Sequence, residues 1–353
     1  MEGSAKRSAA QALSGGPEAA GGGGNASASD NDGEGDSKRA CTDLRSRVAN
    51  TRSEPGNIKK IDQAWKEVFG HLKLEDVSLV SEIGKTRPRN HVNPLASQFL
   101  SPVEPPKWAE IFEDTSKPLF IDVGCAQGRF GLLMATNEKW KDWNHLGIEI
   151  RAPHVTRANA WAERKGLKNV HYVSCSANSS LGPIISSYPG TVEWVAVQFP
   201  DPHFKRKHHK RRVVQPAFLE DLARHSQKGC KLFMQSDIEE VVAQMRDRTD
   251  GCSFFDRVGT YTPRDEALDP EICRNGADDS LWTKSGQRAE GKAIDFGDWL
   301  EGPNPVGVPT EREVQNQALD LPVYRCLFER NDRDVPPPSL NTTVSGPKPH
   351  PEA

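Results

Sequence analysis

The sequence predicts an α/β fold, a doubly wound and mostly parallel sheet covered by helices on both faces. Three observations lead there. From Pro118 onward, short apolar runs alternate with stretches whose apolar residues recur at helical spacing. The apolar runs are nearly continuous, as in Leu119-Phe120-Ile121-Asp122-Val123 and Val192-Glu193-Trp194-Val195-Ala196-Val197, which suits strands buried on both sides. Several of them end in or beside an acid: Asp122, Glu149, Asp201 and Asp237. Open parallel sheets gather ligands at the carboxyl ends of their strands, so these acids mark one functional edge.

Met1 to residue 57 is rich in Gly, Ala and Ser, with Gly21-Gly22-Gly23-Gly24 and an acidic cluster from Asp30 to Asp36, and is expected to be a disordered tail because it holds almost nothing to bury. Residues 58–117 form an extension. In it Ile61, Trp65, Val68, Phe69, Leu72 and Leu74 fall at roughly helical spacing, and a basic arm follows at Arg87-Pro88-Arg89-Asn90-His91-Val92-Asn93-Pro94-Leu95. Composition alone reads that arm as a linker.

The principal domain spans 118–330. Strands are expected at Leu119–Val123, His145–Ile150, Asn169–Ser174, Val192–Phe199, Gly229–Gln235 and Pro322–Phe328. Helices are expected from Phe130 through Met134 and at His154–Lys165, Pro216–His225, Ile238–Arg248 and Thr310–Leu319. The pattern fails from Thr262 to Val308, which reads as a long, partly ordered insertion. Residues 331–353, with Val335-Pro336-Pro337-Pro338, read as a second disordered tail.

Seven cysteines are widely spaced, without a Cys-x-x-Cys pair or a nearby histidine, so neither a zinc site nor a disulfide framework is expected. Cys125, Cys175, Cys230 and Cys326 lie in or beside apolar segments, where a free thiol acts as a small hydrophobe in a reducing compartment. No apolar run has the length of a membrane span, and the first residues lack the apolar core of a signal peptide. Glu2, Glu18 and the acidic cluster argue against a transit peptide.

The formal charge is −3, yet six of the eight residues from Lys205 to Arg212 are Lys or Arg and the other two are His. Read alone, this run is as readily a nuclear localisation signal or a solvated charge run as a phosphate-binding patch. Its position just after Pro200-Asp201-Pro202 gives it interest. The prolines end the fourth strand and deliver Asp201 at its tip.

At the first tip, Gly124-Cys125-Ala126-Gln127-Gly128 lets backbone approach a ligand at a helix N-terminus, and Glu149, at the end of the next strand, is placed to accept from both hydroxyls of a ribose. That pairing suits an adenosine-containing cofactor and serves dehydrogenases and methyltransferases alike. There is no full G-x-G-x-x-G pyrophosphate loop and no evident His or Lys hydride-transfer partner. A cationic methyl donor fits acids such as Asp122 better than the phosphates of a dinucleotide do.

Taken together, Asp122 to Gly128, Gly147-Ile148-Glu149-Ile150-Arg151, Pro200-Asp201-Pro202-His203-Phe204-Lys205, His209-Lys210-Arg211-Arg212, Gln235-Ser236-Asp237 and Thr310-Glu311-Arg312-Glu313 resemble the tRNA (guanine-N7)-methyltransferases from about Arg87 to Arg330. The Pro-Asp-Pro-His-Phe-Lys and His-Lys-Arg-Arg portions are the specific part. The resemblance implies a Rossmann-like class I methyltransferase that uses S-adenosyl-L-methionine to methylate guanine N7 in the variable loop of tRNA. It also implies that Arg87 to Leu95 is the family's eukaryotic type of N-terminal arm.

By the same resemblance, Asp122, Gly124, Glu149, Ile150, Arg151, Ser176, Ala177 and Gln198 lie around the cofactor, and Asp201 is the acid of the active centre. Lys205, Lys210, Arg211, Arg212, Asp237, Thr310, Glu311 and Glu313 lie on the substrate side. Ser176 stands where the family usually has Asn or Asp, Ser236 where it has Thr, and Ala126 where a second glycine is usual. The expected partner is tRNA; the resemblance leaves open a WD-repeat non-catalytic subunit, with which eukaryotic relatives work and without which bacterial ones do. The expected location is nucleus or cytoplasm rather than plastid.

Several plainer readings stand beside these. Thr310 and Glu313 also fit a helix-capping box. His203, His208 and His209 read as RNA-facing or structural rather than catalytic. Trp65, Trp108, Trp140, Trp143, Trp161 and Trp194 read as packing residues, leaving Trp282 and Trp299 as candidates for base stacking. A methyltransferase for another RNA base, and a tRNA-binding scaffold without activity, remain as alternatives. Replacing Lys210, Arg211 and Arg212 together is expected to raise KM for tRNA, in a salt-dependent manner, while leaving cofactor binding by calorimetry unchanged.

Overall fold

A computed structural model describes residues 51–74, 92–203, 206–263 and 297–337. The tails up to residue 50 and from 338, the start of the arm with Arg87 and Arg89, Phe204 and Lys205, and residues 264–296 with Trp282 lie outside the described residues. The strands are β1 (Leu119–Val123), β2 (Asn144–Glu149), β3 (Val170–Ser174), β4 (Val192–Gln198), β5 (Lys231–Ser236), β6 (Phe255–Arg257) and β7 (Tyr324–Arg330). The longer helices are α1 (Pro55–Phe69), α2 (Arg129–Thr136), α3 (Ala152–Arg164), α4 (Ala177–Ser187), α5 (Pro216–His225), α6 (Glu239–Asp250) and α7 (Glu311–Ala318).

The strands form one sheet in the order β3-β2-β1-β4-β5-β7-β6. β1 to β5 are parallel, β7 runs antiparallel to β5, and β6 runs antiparallel to β7. The chain order reverses between β1 and β4, which opens the crevice where such sheets take ligands. This is the doubly wound α/β sheet that the alternation predicts.

Side-chain alternation divides the core into two layers. Leu119, Ile121, Val123, Val195, Val197, Leu232, Met234, Cys326 and Phe328 face one layer, packed with residues of α4, α5 and α6. Phe120, Ala196, Phe233 and Leu327 face the other, with residues of α1, α2, α3 and α7. Asp122, Gln198, Gln235 and Arg325 continue this second row toward the carboxyl edge, because Gln198 pairs in register with Gln235 and Gln235 with Arg325. The alternation that builds the core therefore also aligns four polar side chains at one end of it.

Two elements appear that the sequence pattern does not announce. α4 carries Pro183 and several small polar residues, yet Leu181, Ile184 and Ile185 are buried against the sheet and hold it helical. β6 is only three residues long, too short for alternation to register. The end of the supposed insertion is ordered: Tyr261 bridges Leu300, and Leu300 N–H donates to Arg325 O at 2.9 Å. Trp299 packs on Tyr324 at 5.2 Å, lies under the Arg246 guanidinium at 4.7 Å and donates from Nε1 to Glu239 at 3.2 Å, so it is a packing residue and not a stacking platform. α1 begins at Pro55, ahead of the boundary that composition suggests. After β7 the chain stays pinned, with Asn331 Nδ2 donating to Ser253 O at 3.0 Å. No helix among the described residues is long and apolar enough to cross a membrane.

The glycines of the first loop do different work. Tyr172 is buried and donates to Gly128 O at 2.5 Å, and its ring lies against Gly128, Gly131 and Gly147. A methyl group on Gly147 would fall on that ring and within 2.7 Å of Cys125 Sγ. Gly147→Ala should therefore lower stability by about 1–3 kcal/mol through overpacking, read as a fall in the denaturant midpoint at unchanged slope.

Candidate active site

The carboxyl edge brings the predicted cofactor residues together. Gly124 has φ 84° and Ala126 φ 49°, so the loop after β1 turns through the left-handed region at both positions. The alanine does so at a cost of about 1–2 kcal/mol. Space is open beside the Gly124 Cα, where a side chain would stand. The N–H groups of Gly124 and Cys125 both donate to Ile148 O, at 2.7 and 3.1 Å, which ties the loop to β2.

Glu149 is buried at the end of β2. Its carboxylate accepts from Ala126 N–H at 3.0 Å, from Arg151 N–H at 3.0 Å, and from Arg151 Nε and Nη2 at 2.9 and 3.1 Å. Ile150 lies half-buried between them. Ser176 is the N-cap residue of α4 without a capping side-chain bond, and Ala177 opens that helix; both are buried. Asp122 is buried and accepts from Gln198 Nε2 at 3.1 Å. Burial pushes its carboxyl up to about 7, Gln198 pulls it down and the Glu149 charge adds to the rise.

This donor and acceptor set fits an adenosylated methyl donor. Glu149 is an acceptor for vicinal hydroxyls once Arg151 yields, Ser176 and the first turn of α4 offer donors for a purine edge, and the open flank of Gly124 admits the chain between them.

On the other side of the crevice Asp201 is exposed and follows a strained tip. Phe199 has φ 49° and His203 φ 43°, unusual for bulky residues. Phe199 N–H donates to Gln235 O at 2.8 Å, and Arg212 Nε donates to Pro202 O at 2.8 Å, so both flanks of Asp201 are held. Asp201 lies close enough to Arg151 to help hold that guanidinium's proton affinity above the usual value, behind the larger effect of Glu149.

The basic run is not uniform. Residues Arg206–Arg211 form a 3-10 turn; Lys210 is exposed and Arg211 half-buried, but Arg212 is buried and also bonds Gln244 of α6 through Nη1. Arg212, expected on the substrate side, instead faces protein, because the chain must turn back into α5 at that point. His209 is buried as well, and its carbonyl accepts from Gln215 Nε2 at 2.8 Å. Lys205 lies outside the described residues.

Asp237 follows β5 and is nearly covered: Arg52 Nη2 donates to its Oδ2 at 2.5 Å and Arg312 Nε to the same oxygen at 3.1 Å. Ser236 Oγ accepts from Ile238 N–H at 3.2 Å. Thr310 caps α7 by accepting from Glu313 N–H at 3.2 Å. Glu311 pairs with Arg129, whose guanidinium lies between Trp65 and Trp161 at 4.7 and 5.3 Å. Glu313 is fully buried and engaged by protein: Oε1 accepts from Arg325 Nη2 at 2.8 Å, and Oε2 from Asn304 Nδ2 at 2.8 Å and Gln235 Nε2 at 3.1 Å. It is thus a hub inside the wall of the site. Arg52, Arg129, Asn304 and Arg325 all escape a reading of the sequence, since each is a polar residue in an otherwise ordinary element, and Gln235 is visible there only as part of a motif; β5–β7 pairing and the docking of α1 on α7 bring them here.

A family model described as "Putative methyltransferase" matches residues 116–289. The chain is 40% identical over 252 residues to a tRNA (guanine-N(7)-)-methyltransferase of Trichormus variabilis, which covers 71% of this chain and 99% of that one. It is 41% identical over 256 residues to the same-named protein of Nostoc sp., covering 72% and 99%. The protein of that name from Synechococcus elongatus is 40% identical over 253 residues, covering 71% and 100%. Among solved structures, the aminoglycoside resistance methyltransferase NpmB1 is similar over 64% of this chain and 90% of that one, at 16% identity and a TM-score of 0.34, too slight to add to the fold already described.

The inward turn of Arg212 separates it from its neighbours in the run. Arg212→Ala should lower stability by about 2–4 kcal/mol, since it strands Pro202 O and Gln244 and loses charge-assisted hydrogen bonds, and it should show as a fall in Tm. Replacing Lys210 and Arg211 alone should leave Tm within a degree or so and still raise KM for tRNA.

Proposed function

This chain belongs to the tRNA (guanine-N7)-methyltransferase family, and we propose that it carries out the family's reaction with Asp201 and Asp237 orienting the base and Glu149 and Asp122 holding the methyl donor. It is an S-adenosyl-L-methionine-dependent enzyme that methylates N7 of guanosine in tRNA. The single observation that carries the proposed division of roles is the pairing, on one sheet edge, of an adenosine-type crevice at β1–β2 with a held acid at the tip of β4. The position of the target in the variable loop comes with the family resemblance.

When bound, S-adenosyl-L-methionine supplies an electrophilic methyl group on a positively charged sulfur. Guanine N7 carries an unprotonated lone pair, so no residue of the chain has to remove a proton from it. The protein's task is placement and electrostatics. Asp201 and Asp237 are acceptors for the N1–H and N2–H donors of the base, and their charge offsets the positive charge left on the methylated ring. Two guanidiniums occupy Asp237 Oδ2, which supports Oδ1 as the oxygen offered to the base. Lys210, exposed on the turn after β4, and the half-buried Arg211 beside it are the groups offered to backbone phosphates, which steer a folded RNA and present one unstacked base.

The three relatives named above are from cyanobacteria and are covered almost end to end by this chain, which supports action as a single catalytic chain, without a WD-repeat subunit, in the cytoplasm ahead of the nucleus. Purified alone and supplied with unmodified tRNA, the chain should form N7-methylguanosine, identified by nucleoside mapping of the product. A different modified base, or methylation only after a second subunit is added, would contradict this reading. Asp201→Asn should lower kcat on saturating tRNA by about 100-fold or more with cofactor affinity unchanged; full turnover would remove Asp201 from the reaction.

A further inference from the structure

We propose that Arg325 and Gln235 are positioning residues that fix the direction of a buried hydrogen-bond chain, so that Gln198 always donates to Asp122 in the cofactor crevice. The inference rests on the placement of Asp122 beside the methyl donor.

The chain begins with a group that can only donate. Arg325 Nε donates to Gln235 Oε1 at 3.1 Å, so the Gln235 amide must turn its oxygen toward β7 and its nitrogen away. A second, independent constraint gives the same answer. Glu313, an acceptor when ionised, takes a bond from Gln235 Nε2 at 3.1 Å and is tied to Arg325 Nη2 at 2.8 Å. With its nitrogen thus directed, Gln235 also donates to Gln198 Oε1 at 2.9 Å. Gln198 then has only its own nitrogen left to turn toward Asp122 Oδ1, at 3.1 Å. Each amide could be flipped if it stood alone. The charged pair at the far end removes that freedom, and the orientation is enforced by donor and acceptor chemistry.

The consequence falls on Asp122. A flipped Gln198 would set oxygen against oxygen, a contact that becomes favourable only when Asp122 carries a proton. Ordered as it is, the chain favours the carboxylate, and a carboxylate is what a cationic methyl donor needs. Burial already brings the Asp122 carboxyl up to about 7, so this one donated bond acts where the balance is close. Other groups facing Asp122 do not supply a compensating charge. Cys125 and Tyr172 are held neutral by burial, His145 of β2 across the small cavity beneath Asp122 is pushed down to about 4, and Glu149 opposes ionisation. The Arg151 guanidinium is engaged by Glu149.

The test is calorimetric titration of the full chain with S-adenosyl-L-methionine across about pH 6 to about pH 9, which needs no turnover. In the wild type, affinity is expected to be full above about 7 and to fall as pH drops through it, as Asp122 takes up a proton. Arg325→Met and Gln235→Met should move this acid limb up by about one unit and weaken binding near neutrality by about fivefold. Arg325→Lys, which still only donates, should restore the limb. Asn304→Ala removes a donor from Glu313 without touching the amide order, so it should lower Tm and leave the limb in place.

Folded Arg325→Met and Gln235→Met chains with the wild-type limb would overturn the inference, and so would an equal shift in Asn304→Ala. Gln235→Met keeps the Arg325–Glu313 pair and serves if Arg325→Met does not fold. A wild type that binds no S-adenosyl-L-methionine at any pH would sink the proposed function and this inference with it. Binding that is retained in the wild type, with an unmoved limb in the variants, sinks the inference alone.

Discussion

Four carboxylates are covered at one edge of a single sheet, and the rest of the site follows from finding donors for them. An ion taken from water into a protein loses several kcal/mol of solvation, which only close charges and hydrogen bonds return. Here each acid is served by a different part of the chain. Asp122 takes Gln198 of β4, and Glu149 takes Arg151 and the backbone of the loop after β1. Asp237 takes Arg52, which precedes α1, and Arg312 of α7. Glu313 takes Gln235 of β5, Arg325 of β7 and Asn304 of the segment before α7. The acids are therefore what stitches the extension, the edge strands and the late helix to the central strands.

Asp201 is the exception, exposed where the others are covered. Backbone bonds hold both of its flanks. Left-handed conformations at Phe199 and His203 cost of order 1–3 kcal/mol each and persist only where neighbouring structure over-determines them. The bond from Phe199 N–H to Gln235 O and the grip of Arg212 on Pro202 O supply that determination. The same Gln235 holds the tip through its carbonyl and orders the buried chain through its amide. Strain at the Asp201 tip and order at Asp122 thus meet in one residue of β5.

Much of this was legible in the sequence because strands buried on both faces leave long apolar runs. β1, β4 and β5 and the acids at their tips are visible for that reason, and α5 coincides with its expected span from Pro216 to His225. What escaped is long-range. α4 is helical because its apolar side is buried, which local propensity does not encode around Pro183. Arg212 cannot be told from Lys210 by composition; only the return of the chain into α5 turns one inward and leaves the other outside. Glu313 reads as a cap or a substrate contact, and Thr310 does cap the helix, but the carboxylate is taken by donors from β5 and β7 that no local pattern could associate with it.

The reaction explains why so much of the site is order rather than proton transfer. Attack by a ring nitrogen with a free lone pair asks for no base, so tuning an acid toward proton exchange gains nothing; what changes the rate is how well the two partners and the developing charge are placed. Exposed charges such as Lys210 act at the outside, where salt screens them over about 8–10 Å and their contribution goes to capture of a polyanion. The covered carboxylates act in a medium where screening is weak and misplacement is costly. A protein with net charge −3 can thus bind RNA and a cation at one sheet edge by keeping the two signs in different dielectric settings, the basic groups in water beyond β4 and the acids under the helices beside it.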